Sequence, residues 1–175
     1  MIRLKRFLVI LITIPLCFVL QNIVLPLIPD LIAVPNLILC EVLTFGFLYG
    51  KAYGLACGVV SGLLLDVLGT GTPGFYTLIL SCLGYGDGFI SEKIESEWIP
   101  VLYGLLTINE ILFHLYVFIF AFLIRKTFSF GSYVRRVFLP ELLLTMVAFL
   151  LLYGILIFLS KRWDLKVNKG EVKVV

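Results

Sequence analysis

Apolar runs, separated by short polar or Gly/Pro breaks, fill the chain from residue 7 to residue 159. A helix needs about 20 residues to cross roughly 30 Å of hydrocarbon, and six runs approach that length. The pattern predicts an all-α integral membrane protein, one transmembrane domain over 1–175, with helices near 7–28, 31–49, 52–68, 75–90, 99–124 and 137–159. Pro15 lies inside the first run, where a membrane helix tolerates a kink, and Pro29-Asp30 ends it. The second run begins at Leu31 or Pro35, and is short in the latter case. A turn at Gly50-Lys51, a Gly/Thr/Pro stretch from Gly69 to Gly74 and a polar stretch over 91–97 divide the runs that follow. The fifth run is the longest and is expected to tilt.

Composition agrees with this pattern. Of the 175 residues, 61% are hydrophobic and 14% charged, against roughly 25% charged in an average soluble domain, and the mean hydropathy is +1.12. So few polar groups cannot cover that apolar surface in water, so lipid is the expected solvent. The net charge of +3 does not point to nucleic acid, because the basic residues sit at the ends of the runs rather than in a patch.

Those basic residues instead report topology. Six spans put both termini on one side, and the positive-inside rule makes that side the cytoplasm, with Arg3, Lys5 and Arg6 at one end and Lys161, Arg162, Lys166, Lys169 and Lys173 at the other. A basic start before an apolar run is also how a secretory signal begins, but the run continues past Leu20 without a small-x-small pattern, so an uncleaved first span is expected. The same arrangement places Arg125, Lys126, Arg135 and Arg136 outside, and the aromatic stretch 127–136 is then read as an interfacial anchor.

Candidate chemistry is sparse. Cys17, Cys40, Cys57 and Cys82 fall in different apolar runs with no Cys-x-x-Cys pair, and read as small core residues. Gly69 to Gly74 spells G-x-G-x-x-G, but a dinucleotide loop needs a strand before it and an amphipathic helix after it, so a tight turn is the better reading. Neither a Ser/His/Asp set nor a His-Glu-x-x-His motif occurs. No catalytic residue, metal ligand or cofactor site is assigned.

Two features stand out. Gly46, Gly50, Gly54, Gly58 and Gly62 recur at every fourth position, which on a helix aligns a groove that lets a second backbone approach closely. That second helix belongs either to this chain or to a second copy or partner. Asp66 lies one further step along, where a carboxylate among leucines needs a hydrogen-bonding partner in the following loop or in another protein, or else serves a proton or ion relay. Glu110 and His114, spaced i, i+4, share one face of the fifth run and are read as a buried polar pair, because a metal needs at least one more convergent ligand and the chain has no second histidine. Glu41, Asp87 and Glu141 also lie in or beside apolar runs, and spacing alone does not bring them together.

The central block resembles the rod shape-determining MreD family. Pro35-Asn36-Leu37, then Gly54-x-x-x-Gly58-x-x-x-Gly62-Leu63-Leu64-Leu65-Asp66-x-x-Gly69, then Gly74 and Tyr85-Gly86 carry the likeness, with Pro140-Glu141 as a weaker match. The resemblance implies a non-catalytic scaffold in the bacterial plasma membrane that links peptidoglycan synthesis to cell shape. Its implied partners are MreC, the MreB filament, RodA and a class B penicillin-binding protein, with membrane lipid around it and a homodimer allowed. It also implies a six-helix bundle like the substrate-binding subunit of energy-coupling-factor transporters. That likeness supplies the alternative function, a small-molecule-binding subunit for vitamin or metal uptake.

Overall fold

The computed structural model describes residues 2–29, 31–70, 73–94, 99–125 and 130–162. Among these, all regular structure is helical, in the order α1 (Ile2–Val19), α2 (Leu37–Tyr49), α3 (Lys51–Leu65), α4 (Phe75–Ser91), α5 (Ile99–Arg125), the short α6 (Phe130–Tyr133) and α7 (Leu139–Arg162). Wider or tighter turns extend three of them: α1 runs on through Leu20–Val24 and Leu25–Leu27, α3 through Asp66–Thr70, and Val134–Phe138 joins α6 to α7. Pro15 stays within α1. By length and composition, four of these helical stretches can cross a membrane: Leu8–Leu27, Lys51–Gly69, Ile99–Phe120 and Val134–Leu159. Of the basic residues used for topology, Lys126, Lys166, Lys169 and Lys173 lie outside the described residues.

The second helix differs from the sequence reading in where it starts. It begins at Leu37, because Pro35 and Asn36 precede it and Asn36 forms its cap, accepting from the Leu39 amide at 3.2 Å. At 13 residues, α2 is about 20 Å long at 1.5 Å per residue, shorter than the hydrocarbon it would have to span. It does not need to meet lipid. Every residue from Leu37 to Leu48 is buried, wrapped by α1, α3, α4, α5 and α7. With no water at hand, its first amides must be satisfied by protein. Gln21 Oε1 accepts from the Ile38 amide at 3.0 Å, and Thr145 Oγ1 on α7 accepts from the Asn36 amide at 3.0 Å.

Two apolar clusters hold the bundle. Ile10, Ile14 and Phe18 of α1 pack with Ile38, Val42 and Phe45 of α2 and Leu80 of α4, while Leu43 and Phe47 on the other side of α2 meet Leu102 and Leu106 of α5 and Phe149 of α7. The outward faces carry large exposed apolar side chains such as Ile12, Leu63, Leu78, Leu143 and Leu151. In water that surface would drive aggregation; in a bilayer it is the lipid-facing coat. The molecule is a multi-pass membrane protein.

Candidate functional site: a glycine-packed helix pair and a buried Glu/His cluster

The glycine ladder faces α4 of the same chain. A methyl group on Gly54 would collide with the Gly84 carbonyl oxygen, one on Gly58 would lie 2.6 Å from the Leu80 carbonyl carbon, and one on Gly62 would lie 2.6 Å from the Thr77 amide nitrogen. The obstacles are backbone atoms, so they cannot step aside as a side chain would. The partner helix answers in kind: Cβ atoms on Gly84 and Gly88 would meet the carbonyl carbons of Gly54 (2.7 Å) and Gly50 (2.6 Å). The first member of the ladder, Gly46 on α2, closes against the Gly84 oxygen at 2.8 Å. Gly50 is spent differently. Its φ of 90° lets α2 end and α3 begin one residue later. Because α4 fills the groove, a second copy or partner helix cannot enter it without displacing α4.

Asp66 finishes this contact. Its side chain, 2% exposed, turns to the start of α4 and accepts four hydrogen bonds: from the amides of Gly74 (2.9 Å), Tyr76 (2.7 Å) and Thr77 (3.2 Å), and from the Thr77 hydroxyl (2.6 Å). The first amides of a helix have no partners within it, and the helix dipole favours an anion there. Asp66 therefore caps α4 from the end of α3. Gly74 holds the left-handed conformation that aims its amide at the carboxylate, with φ at 88°. Gly71 and Thr72 of the G-x-G-x-x-G stretch lie outside the described residues.

The intramembrane acids distribute over three contacts. Glu41, fully buried on α2, takes the Thr13 hydroxyl of α1 on Oε1, and its other oxygen has no hydrogen-bond partner. Asp87 on α4 accepts from Asn109 Nδ2 on α5 at 2.8 Å. Glu110 and His114 of α5 do share a face, and the fold adds Glu141 from the first turn of α7. His114 Nε2 lies 3.3 Å from Glu110 Oε2 and 3.5 Å from Glu141 Oε2.

On the other edge of its ring, His114 Nδ1 is 2.9 Å from the Tyr133 hydroxyl. Yet neither carboxylate oxygen meets the Nε2 along a hydrogen-bond direction, and both Glu110 oxygens are also without a hydrogen-bond partner. Beside the cluster lies a cavity of about 110 Å³ walled by Ile111, Leu115, Phe118, Val134 and Phe138. The Glu110/His114 pair was readable from its i, i+4 spacing. Glu141 and Tyr133 are brought in only by the fold, since the helical turn Val134–Phe138 folds Tyr133 back over α5.

The family model of the rod shape-determining protein MreD matches residues 1–162. The chain belongs to the MreD family. No curated protein and no solved structure matches it.

The remaining MreD-like positions divide by direction. Pro35 is buried where the chain enters α2. Gly69 is exposed, and a side chain there would touch nothing within 4 Å. Tyr85 is 46% exposed on the outer face of α4, and a methyl on Gly86 would also meet open space. Of the MreD-like residues on α3 and α4, Gly54, Gly58, Gly62 and Asp66 are consumed inside the monomer, while Tyr85 and Gly86 are turned outward. The MreD family is a shape-determining one, not known for catalysis.

Proposed function

We propose that this MreD-family protein is a non-catalytic scaffold of the cell-elongation complex. In that role it holds an MreC-like membrane protein, and through it an MreB-like filament, near the RodA and class B penicillin-binding protein pair that builds peptidoglycan. The setting is the bacterial plasma membrane with both termini in the cytoplasm. The observation that carries the reading is the outward placement of Tyr85 and Gly86. An aromatic ring next to a small residue, in line with exposed Leu78 and Phe89, gives α4 a shaped outer face with no task inside the bundle. Small residues let helices approach in lipid, and aromatics add contact area at little conformational cost.

The alternative, a vitamin- or metal-uptake subunit, follows from the likeness to energy-coupling-factor substrate-binding subunits. No solved structure supports that likeness. Among the described residues, six helices longer than a single turn, α1 to α5 and α7, are what remains in its favour.

The test is photocrosslinking in native membranes, with the reactive residue at Tyr85 on α4 and, for comparison, at Leu55 on the exposed side of α3. Selective capture of an MreC-like or cell-wall-synthase protein from position 85 supports the scaffold. Capture of lipid alone at both positions, with a transporter ATPase copurifying, overturns it. A second copy caught at position 85 would place a homodimer on this face instead of a partner.

A further inference from the structure

The cluster on α5 and α7 is an unusual thing to bury. At 1.5 Å per residue, His114 sits about 7 Å from the midpoint of Ile99–Phe120, and Glu141 about 8 Å from that of Val134–Leu159. Both therefore lie within a hydrocarbon half-thickness of roughly 15 Å. Two carboxylates and one imidazole at this depth, beside an apolar cavity, need charge compensation. The described residues contribute no lysine or arginine to the group.

We propose that Glu110, His114 and Glu141 form a binding site for one divalent transition-metal ion, of which Zn²⁺ is the natural probe. Four observations converge on it. The donor atoms of all three side chains lie within 4.8 Å of one another. The two histidine-to-carboxylate separations, 3.3 and 3.5 Å, match the ligand-to-ligand edge of about 3.3 Å for a tetrahedron with metal bonds of about 2.0–2.1 Å. The Nε2 of His114 and both Glu110 oxygens are buried and make no well-directed hydrogen bond, although Nε2 lies 3.3 Å from Glu110 Oε2.

The fourth observation is on the far side of the ring. Metal-bound histidines generally donate their other N–H to a fixed acceptor, and His114 Nδ1 lies 2.9 Å from the Tyr133 hydroxyl, which can accept from it in the tautomer that leaves Nε2 free for the ion. Charge allows the assignment too. Two carboxylates, a neutral imidazole and a divalent ion sum to zero; without the ion the group reaches the same balance by holding two protons, as an imidazolium and one neutral carboxyl. Three protein ligands leave one coordination position for water. The ion would fasten α5 to the start of α7 and, through Tyr133, to the turn before it.

The test uses the full-length protein in detergent, stripped with a chelator and titrated with Zn²⁺, with metal content per chain measured after removing free ion. Co²⁺ in place of Zn²⁺ gives a visible absorption band that reports low-coordinate binding. One ion per chain is expected. His114→Ala and Glu141→Gln should each weaken binding at least tenfold and abolish the Co²⁺ band, and Tyr133→Phe should weaken it roughly tenfold. Each stripped variant is first checked for wild-type elution. Glu141→Gln, at a side chain 19% exposed, preserves shape and keeps the test decisive if His114→Ala misfolds. Absence of binding, or binding unchanged in both His114→Ala and Glu141→Gln, overturns the site. In either case two protons held among the three side chains replace the metal as the source of neutrality.

Discussion

Substituting Gly58 by alanine adds one methyl group to a helix, and in most helices that stabilises. Here the new carbon would lie 2.6 Å from the Leu80 carbonyl carbon and 2.7 Å from Ser81 Cα, whereas carbon atoms rest about 3.5–4.0 Å apart. α3 and α4 must therefore separate by about 1 Å, and the contacts one turn away at Gly54 and Gly62 open with them. Overpacking costs typically about 1–3 kcal/mol, and rigid backbone on the far side puts this site near the upper end. Alanine returns about 1 kcal/mol of helix propensity, so a net loss of about 2 kcal/mol is expected. Gly86→Ala is the matched control, because its methyl meets nothing within 4 Å and should gain up to about 1 kcal/mol. The two variants should thus differ by about 3 kcal/mol, or roughly 100-fold in unfolding equilibrium. Reversible unfolding in mixed detergent and SDS micelles measures this directly. Equal stability of Gly58→Ala and Gly86→Ala would refute the internal groove and return the ladder to the lipid or partner face.

Three further substitutions probe the polar contacts. In Asp66→Asn the amide must face at least one of the four donors now bound by the carboxylate; a loss of about 2 kcal/mol is expected, read as faster proteolysis between α3 and α4, and wild-type resistance would deny the cap. Asn109→Ala strips Asp87 of the hydrogen bond it receives from α5 and should destabilise by about 1–3 kcal/mol, while the Asp87→Ala/Asn109→Ala double variant should cost less than the sum of the singles; simple additivity would mean that the two side chains do not interact. Lys51→Ala breaks the pair with Glu92, whose side chains are about half exposed at 46% and 45%, and should shift stability by less than about 1 kcal/mol; a larger loss would mean that the pair is shielded from solvent.

Helix type and approximate position were legible because hydropathy is a long, redundant signal. The start of α2 was less so. Apolar positions continue from Leu31 through Val34 into the helix, and only the local chemistry of Pro35 and Asn36 ends the ambiguity, since Asn36 uses its side chain to cap the Leu39 amide. The ladder on α3 was visible as spacing, but spacing cannot say which helix fills the groove. A clue was available in Gly84 and Gly88, four apart on α4 and followed by no such pair on α5. Glu141 and Tyr133 were beyond reach. They are 31 and 23 residues from Glu110 along the chain, and their meeting depends on how α6 and the turn after it fold back on α5.

These contacts fall into two mechanical kinds. α3 and α4 touch backbone to backbone along the ladder and are capped together by Asp66, so sliding one past the other would break many close contacts at once. α5 and α7 are tied on through side chains instead: Asn109 to Asp87, Tyr116 Oη to the Phe75 carbonyl at 3.1 Å, Tyr103 Oη to the Met146 carbonyl at 3.2 Å, and Thr145 to the Asn36 amide. Rotamers can absorb small shifts where packed backbone cannot. The α2–α3–α4 unit is then the rigid frame, and any adjustment on engaging a partner falls on α5 and α7, the two helices that the Glu110/His114/Glu141 cluster joins. Amide hydrogen exchange of the detergent-solubilised protein gives this a direct reading. Amides of α3 and α4 should exchange only with global unfolding, and those of α5 and α7 measurably faster. Uniform protection across all four helices would show that the side-chain ties hold as firmly as the glycine seam, and the division into frame and adjustable pair would fall.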